Sequence, residues 1–369
     1  MSASDDRDSM RLTRRGVLRL VGGAAGLGAL RALNGAGRFF DSQLAAAAAA
    51  DSIKFPKGAI IRTVLKDIPP ESLGQILVHE HIELSSTFGF KGGPGAAQPT
   101  KHFSEDLDLL VEEMKLAARD GLTAIVDCGH SDQGRRAPYV RQVSKLSGMP
   151  IVLGGGYHST PTYPPEVSRM TEDELVEEFV RYATAERWGA MGEIGVSAEI
   201  TADERKVQRA VGRVQAMTNL PIISHTANGA AAVEQLDLFE AGGAKAAHIL
   251  IGHMGAMTMV PIDVFKTICK RGAFVGFDRV GGRAESNEKQ APMIKELIDA
   301  GYVDNILLSS DGGATEDILK SKGGPGYARA FTVMGPVLRK AGVSDDALHK
   351  IMVDNPRRLL AFVPKKVST

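Results

Sequence analysis

Short apolar runs alternate with amphipathic stretches along the chain from about residue 55 onwards. Continuous apolar runs are typical of strands that are buried on both faces, as in a parallel sheet. Their alternation with amphipathic stretches indicates repeated βαβ units. The runs that predict strands lie at residues 75–78, 123–128, 150–156, 189–195, 221–225, 248–253, 273–278 and 305–311. Stretches that predict helices include residues 105–119, 172–187, 202–217, 231–240 and 288–300.

Eight such strands predict an α/β protein with a closed (β/α)8 TIM barrel. A doubly wound open sheet is the structural alternative, but no Gly-rich fingerprint follows the first strand to support dinucleotide binding. No internal repeat or low-complexity linker divides residues 55–369. We therefore expect one barrel domain over residues 51–369, with a short hairpin within residues 58–74 before the first barrel strand.

Residues 1–50 do not fit the barrel pattern. Arg14 and Arg15 are followed by a weakly apolar, Gly/Ala-rich run to about Leu30, and an alanine tract occupies residues 45–50. This order resembles a twin-arginine signal peptide with a small-residue cleavage region. It predicts export to the periplasm or the cell exterior; the alternative is a poorly ordered basic tail. No stretch has the roughly 20 uninterrupted apolar residues that a membrane-spanning helix needs.

Charge argues against a nucleic-acid partner. The whole chain has a formal net charge of zero, and residues 51–369 alone carry −3. No basic stripe stands out, whereas phosphate neutralisation supplies most of the affinity of nucleic-acid-binding proteins. We therefore expect a small-molecule partner and no nucleic acid.

Side chains that can bind metal ions lie near the carboxyl ends of the predicted strands, where TIM barrels build their active sites. Taken singly, each has an ordinary explanation: a satisfied histidine, a solvated glutamate or a turn aspartate. Their coincidence at one barrel end instead predicts a nitrogen and oxygen ligand set for Zn²⁺, Mn²⁺, Co²⁺ or Fe²⁺. The six candidate ligands are His79, His81, Glu193, His225, His253 and Asp311.

The order of these residues resembles the amidohydrolase superfamily. Within it the chain is similar to the phosphotriesterase family over roughly residues 57–362, including its phosphotriesterase homology proteins and lactonases. The segments that carry the resemblance are residues 61–84, 121–129, 221–236, 249–255, 272–282, 305–313 and 353–362. The best-known members have a carboxylated lysine on the fourth strand; this chain has Glu193 there, as in the phosphotriesterase homology proteins.

The resemblance implies two divalent metal ions, most often Zn²⁺, that share an attacking hydroxide. His79, His81 and Asp311 would hold the buried ion, His225 and His253 the exposed ion, and Glu193 would bridge them. Asp311 would also act as the general acid and base. The implied substrate is a lactone, a carboxylic ester or a phosphotriester, and the implied assembly is a homodimer, although no pattern in the chain identifies its interface.

Two further candidates come from alignment with the lactonases. Arg279 would either contact the ester or lactone oxygen or hold a loop through a salt bridge. Tyr157 would border the metals; its alternative role is a packing aromatic with its hydroxyl satisfied elsewhere. His130 and His158 are expected at the rim of the pocket rather than among the ligands.

Two other functions compete with the esterase hypothesis. GEIG at residues 192–195 is close to the pattern of TatD-type metal-dependent deoxyribonucleases. The segment FDRVGG at residues 277–282, the family-like opening at residues 61–84 and the lack of a basic surface argue against that alternative. A non-catalytic barrel that keeps a metal for structure is the other competitor, and it predicts a damaged ligand set.

Overall fold

A short antiparallel hairpin precedes the main sheet. Strands β1 (Ile61–Arg62) and β2 (Asp67–Ile68) pair with Ile61 opposite Ile68. This hairpin lies where the sequence predicts one.

The structure, a computed structural model, describes residues 53–84, 102–256, 260–313 and 315–366, so the predicted leader lies outside the described residues.

All eight predicted barrel strands are present. Neighbouring barrel strands are parallel and follow chain order, so each connection passes through a helix or a loop to the next strand. The strands are β3 (Gln75–Glu80), β4 (Leu122–Asp127), β5 (Ile151–Leu153), β6 (Met191–Gly195), β7 (Ile222–His225), β8 (Ile249–Ile251), β9 (Phe274–Phe277) and β10 (Ile306–Leu308).

Backbone hydrogen bonds outside the regular ladders join the three-stranded sheet β3–β5 to the five-stranded sheet β6–β10. At one junction Gly189 N–H donates to the Leu153 carbonyl over 2.9 Å. At the other, Asp311 N–H donates to the His79 carbonyl over 3.1 Å, and His81 N–H donates to the Gly312 carbonyl over 2.8 Å. The sheet is therefore continuous around a barrel, and its closing seam runs through three candidate ligands.

Helices cover the outside of the strands. Those at residues 172–186 and 202–218 begin with capping boxes, in which Thr171 and Thr201 each pair with the glutamate three residues later. No helix within the described residues is long and apolar enough to cross a membrane. The helices that follow barrel strands are α1 (Leu107–Arg119), α2 (Ala137–Ser147), α3 (Glu172–Glu186), α4 (Ala202–Thr218), α5 (Gly229–Ala241), α6 (Ile262–Lys270) and α7 (Ala284–Asp299). The last segment holds α8 (Arg329–Thr332), α9 (Met334–Lys340), α10 (Asp345–His349) and α11 (Asn355–Leu360).

Apolar side chains form two separate layers. One fills the barrel interior and includes Val126, Ile223, Leu250 and Leu307, from alternate positions of different strands. The other lies between the strands and the helices. Filling the interior with branched side chains makes the barrel a packed core rather than a pore, so polar chemistry is confined to the strand ends.

The interior layer predicts a large penalty for truncation. Leu250 is fully buried inside the barrel, and Leu250→Ala should lower the free energy of unfolding by about 2–5 kcal/mol, because the barrel can collapse only partly around the cavity. Urea denaturation followed by circular dichroism measures this. Leu65→Ala, at a position 43% exposed, is the control and should stay within about 0.5 kcal/mol of wild type. Equal effects of the two substitutions would contradict the assignment of Leu250 to the interior layer.

Candidate metal centre

The six candidate ligands meet at the carboxyl-terminal end of the barrel. His79, His81, Glu193 and His253 are buried, while His225 and Asp311 are partly exposed toward the mouth. They come from the ends of β3, β6, β7, β8 and β10. The tertiary structure thus brings together residues that are up to 232 positions apart in the chain.

Glu193 lies at the centre of this cluster. Its Oε2 is 2.9 Å from His79 Nε2, 2.8 Å from His225 Nδ1 and 3.5 Å from His253 Nε2, while its Oε1 is 3.3 Å from His81 Nε2. Burial alone would raise the pKa of Glu193, but His225 and His158 outweigh burial and hold that pKa well below its usual range. Glu193 is therefore an ionised carboxylate with imidazole nitrogens close to both of its oxygens.

Asp311 faces the same imidazoles from the end of β10. Its Oδ1 is 3.3 Å from His81 Nε2, and its Oδ2 is 3.9 Å from His253 Nε2. Burial opposes ionisation, but the hydrogen bond from His81 and the neighbouring histidines keep the pKa of Asp311 well below its usual range. In the same way, burial opposes a charge on His81, but Asp311 and Glu193 raise the pKa of His81 to about 10. The centre thus attracts positive charge strongly.

The arrangement fits divalent metal ions. His225 Nδ1 and His253 Nε2 are 2.9 Å apart, and both also face Glu193 Oε2. Lone pairs at this spacing repel unless a proton or a cation lies between them. Potential ligand atoms lie within 4.8 Å of one another in three groups: His79 with His253 and Asp311, His79 with His81 and Glu193, and His158 with Glu193 and His225. Imidazole and carboxylate donors suit Zn²⁺, Mn²⁺, Co²⁺ and Fe²⁺ alike.

Asp278 orients two of the imidazoles, and the sequence interpretation missed it. Its Oδ2 is 2.9 Å from His79 Nδ1, its Oδ1 is 3.0 Å from His253 Nδ1, and it accepts the backbone N–H of His253. Burial would raise the pKa of Asp278, but His253 and His79 outweigh burial and lower it. An ionised Asp278 holds a proton on each Nδ1 and leaves each Nε2 facing the centre. The sequence feature that could have identified Asp278 was its position at a strand end, just before Arg279.

Glu80 and Gln133 were also missed. Glu80 accepts hydrogen bonds from the backbone N–H groups of Ser310 (2.7 Å) and Gly312 (2.6 Å), which flank Asp311. Asp311 has φ +47°, a left-handed conformation that a non-glycine residue keeps only when its surroundings hold it. Gln133 Nε2 donates to Glu193 Oε1 over 3.1 Å. Glu80 therefore supports the Asp311 backbone, and Gln133 supports the Glu193 carboxylate.

Tyr157 and its neighbour His158 lie in different surroundings. The Tyr157 hydroxyl hydrogen-bonds to Glu178 on α3, and the ring centroids of Tyr157 and Phe179 are 5.2 Å apart. Tyr157 therefore lies in the apolar layer between the strands and the helices. Its neighbour His158 faces the centre instead, with Nδ1 3.6 Å from Glu193 Oε1. Burial lowers the pKa of His158 to about 4. These contacts match the alternative role of Tyr157, a packing aromatic with its hydroxyl satisfied elsewhere. His158, expected at the rim of the pocket, lies beside Glu193 and His225.

Arg279 lies at the mouth, 44% exposed, and its Nε donates to Asp311 Oδ2 over 2.7 Å. Of the two roles considered for Arg279, the salt bridge is present, although its partner is a candidate ligand rather than a loop. Its guanidinium has further N–H donors besides the Nε that binds Asp311.

Comparisons with known proteins agree with this geometry. A family model described as the phosphotriesterase family matches residues 59–360. The N-acetyltaurine hydrolase of Salmo salar is 25% identical over 343 residues, a match covering 82% of this chain and 98% of that protein. A resiniferatoxin-binding protein from Rhodobacter sphaeroides has a similar crystal structure, with a TM-score of 0.74, 33% identity and coverage of 82% and 95%. The phosphotriesterase homology protein of Escherichia coli, solved with phosphate in its active site, gives a TM-score of 0.70 and 27% identity, covering 79% of this chain and all of that one.

The barrel and the cluster at the carboxyl ends of its strands define the class of protein as a TIM-barrel hydrolase. The chain belongs to the phosphotriesterase family. The resemblance seen in the sequence is thereby confirmed, and the family match favours the phosphotriesterase-type hypothesis over the TatD-type one.

The contacts of Asp278 predict a loss of metal affinity on substitution. Asp278→Asn keeps the shape but removes the charge that holds protons on His79 Nδ1 and His253 Nδ1, so affinity for Zn²⁺ should fall by about 10–100-fold. Competition with a chromophoric chelator measures this affinity. Asp263→Asn, at an exposed aspartate on α6, is the matched control and should bind Zn²⁺ like wild type. Wild-type affinity in the Asp278 variant would show that the histidines need no such support.

Proposed function

We propose that this protein is a two-metal hydrolase that cleaves a lactone, a carboxylic ester or a phosphotriester. The observation that carries the proposal is the Glu193 carboxylate, with nitrogens of His79, His225 and His253 within 3.5 Å of one oxygen and His81 3.3 Å from the other. His79, His81 and Asp311 would hold the buried ion, and His225 and His253 the exposed one, with Glu193 shared between them. Zn²⁺ is the ion proposed first, with Mn²⁺, Co²⁺ and Fe²⁺ as alternatives.

When bound, the ions would supply Lewis-acid chemistry, lowering the pKa of the attacking water and polarising the oxygen of the scissile bond. The chain itself provides a proton acceptor, because Asp311 is ionised and lies at the mouth side of the centre. In this proposal Asp311 accepts the proton of the attacking water and delivers it to the leaving group. Arg279 holds Asp311 in place through the 2.7 Å bond and offers its exposed donors to a substrate oxygen.

A second candidate is hydrolysis of an amide bond in an anionic N-acyl compound. The relatives named N-acetyltaurine hydrolase support this candidate. The Salmo salar protein of that name matches 82% of this chain at 25% identity. The exposed Arg279 guanidinium suits a sulfonate or a carboxylate at the end of such a substrate. The leaving group would then be an amine. An amine depends on protonation by Asp311 more than the leaving group of an activated ester does.

The role of Asp311 is directly testable. Asp311→Asn should lower kcat/KM by about 10²–10⁴-fold while the fold stays intact, because the amide cannot accept the proton. We would measure turnover by the Zn²⁺-loaded protein on γ- and δ-lactones, aryl esters, phosphotriesters, N-acetyltaurine and single-stranded DNA, with circular dichroism to verify folding.

Asp299→Asn, at the exposed end of α7, is the matched control and should retain wild-type rates. Chelation should abolish the wild-type activity, and added Zn²⁺ should restore it. No turnover of any lactone, ester or phosphotriester by a protein shown to hold two metal ions would refute the ester assignment. Turnover of N-acetyltaurine alone would select the second candidate, and turnover of DNA alone would select the nuclease.

We also propose that residues 1–50 act as a twin-arginine signal, which remains a proposal from the sequence alone. Replacing Arg14 and Arg15 together with lysine should leave the protein in the cytoplasm of a bacterial host, because the export machinery reads the arginine pair. Cell fractionation and immunoblotting measure this. Replacing Arg7 and Arg11 with lysine is the matched control, and equal export of both double variants would contradict the proposal.

A further inference from the structure

His158 is held firmly beside the centre by its backbone. It follows β5, where its N–H donates to Asp132 Oδ2 over 2.9 Å. Its carbonyl accepts the N–H of Gly195 over 2.6 Å, at the end of β6. Asp132 is fixed in turn by the hydroxyl of Thr162 over 2.8 Å. The backbone of His158 is thus held through both its N–H and its carbonyl.

Gly195 permits this close approach. A Cβ atom at position 195 would lie 2.4 Å from the His158 carbonyl oxygen, closer than real Cβ atoms come to backbone. Gly195 lies two residues after Glu193 on the same strand. The absence of a side chain therefore lets His158 sit directly against the strand that carries the central carboxylate.

The His158 ring faces two candidate ligands. Its Nδ1 is 3.6 Å from Glu193 Oε1, and its ring lies edge-on to His225, with centroids 4.5 Å apart and an interplanar angle of 84°. One ligand atom from each of His158, Glu193 and His225 falls within a 4.8 Å span. Nitrogen and oxygen ligands bind Zn²⁺ at about 2.0–2.2 Å, so two atoms 3.6 Å apart can share one ion.

We propose that His158 is an additional ligand of the exposed metal ion, which it would bind together with His225 and Glu193. The inference rests on the proposed two-metal function. His225, His253 and a shared Glu193 give the exposed ion three protein ligands, the usual number in a catalytic site, and His158 would add a fourth. Among the described residues, His158 is the imidazole beside Glu193 that has no place in this set. A third imidazole would raise the affinity of the site for the exposed ion and would reduce the number of coordination positions left for substrate.

Metal binding by the apo full-length protein tests the proposal without relying on activity. Co²⁺ is the probe, because its visible absorption reports the ligands of each equivalent bound. Wild type should bind two Co²⁺. His158→Ala should bind one equivalent as wild type does, while the affinity for the other falls by at least about 10-fold and its absorption changes.

Two further variants separate ligation from packing. His158→Phe fills the space of the ring but lacks both nitrogens, so it should show the same loss as His158→Ala. His248→Ala removes a histidine whose Nδ1 contacts the Leu359 carbonyl before β8 begins, at the opposite end of the barrel, and should bind Co²⁺ like wild type.

Unchanged Co²⁺ affinity and absorption in both His158 variants would overturn the inference and leave the two-metal proposal standing. Wild-type binding by His158→Phe but not His158→Ala would also overturn it, because packing alone would then explain the loss. Failure of the wild type to bind Co²⁺ would overturn both proposals together.

Discussion

The buried Glu193 carboxylate is the interaction on which the rest of the active end depends. A lone ionised carboxylate away from water is strongly unfavourable, so it requires compensating positive charge or hydrogen bonds. Four imidazoles and the Gln133 amide surround it within 3.5 Å. These partners come from four segments of the chain, so the compensation exists only when the barrel is closed. The same convergence that satisfies Glu193 creates a set of donors suited to divalent ions.

A second layer of buried acids holds the first in place. Asp278 sets the proton positions on His79 and His253, and Glu80 holds the backbone on both sides of Asp311. Both acids are buried. Asp278 leaves the Nε2 atoms of His79 and His253 facing the centre, and Glu80 holds the backbone conformation of Asp311. Glu80 and Ser309 also tie β3 to β10 over 2.7 Å, so the support of Asp311 and the closure of the barrel use the same contacts.

The mouth is less constrained than the centre. Arg279 is partly exposed and forms an ion pair with Asp311. Its guanidinium has several donors in one plane, so this ion pair is compatible with the substrate contact proposed for Arg279. Family membership defines the type of chemistry, while the groups around the mouth define the substrate. Two proteins similar to this chain, 25% and 33% identical to it, carry the names N-acetyltaurine hydrolase and resiniferatoxin-binding protein.

The sequence by itself determined the eight strands and the residues at their ends. Apolar runs buried on both faces are a local signal, and in a parallel barrel all carboxyl ends meet, so His79, Glu193 and Asp311 could be grouped without coordinates. Only the tertiary structure decided which of Tyr157 and His158 faces the centre. They follow β5, where the alternation of side chains no longer applies and contacts with Glu178 and Gly195 decide the direction. The partnerships of Asp278, Glu80 and Gln133 were equally hidden, because each joins residues at least 25 positions apart and depends on how the strand ends pack.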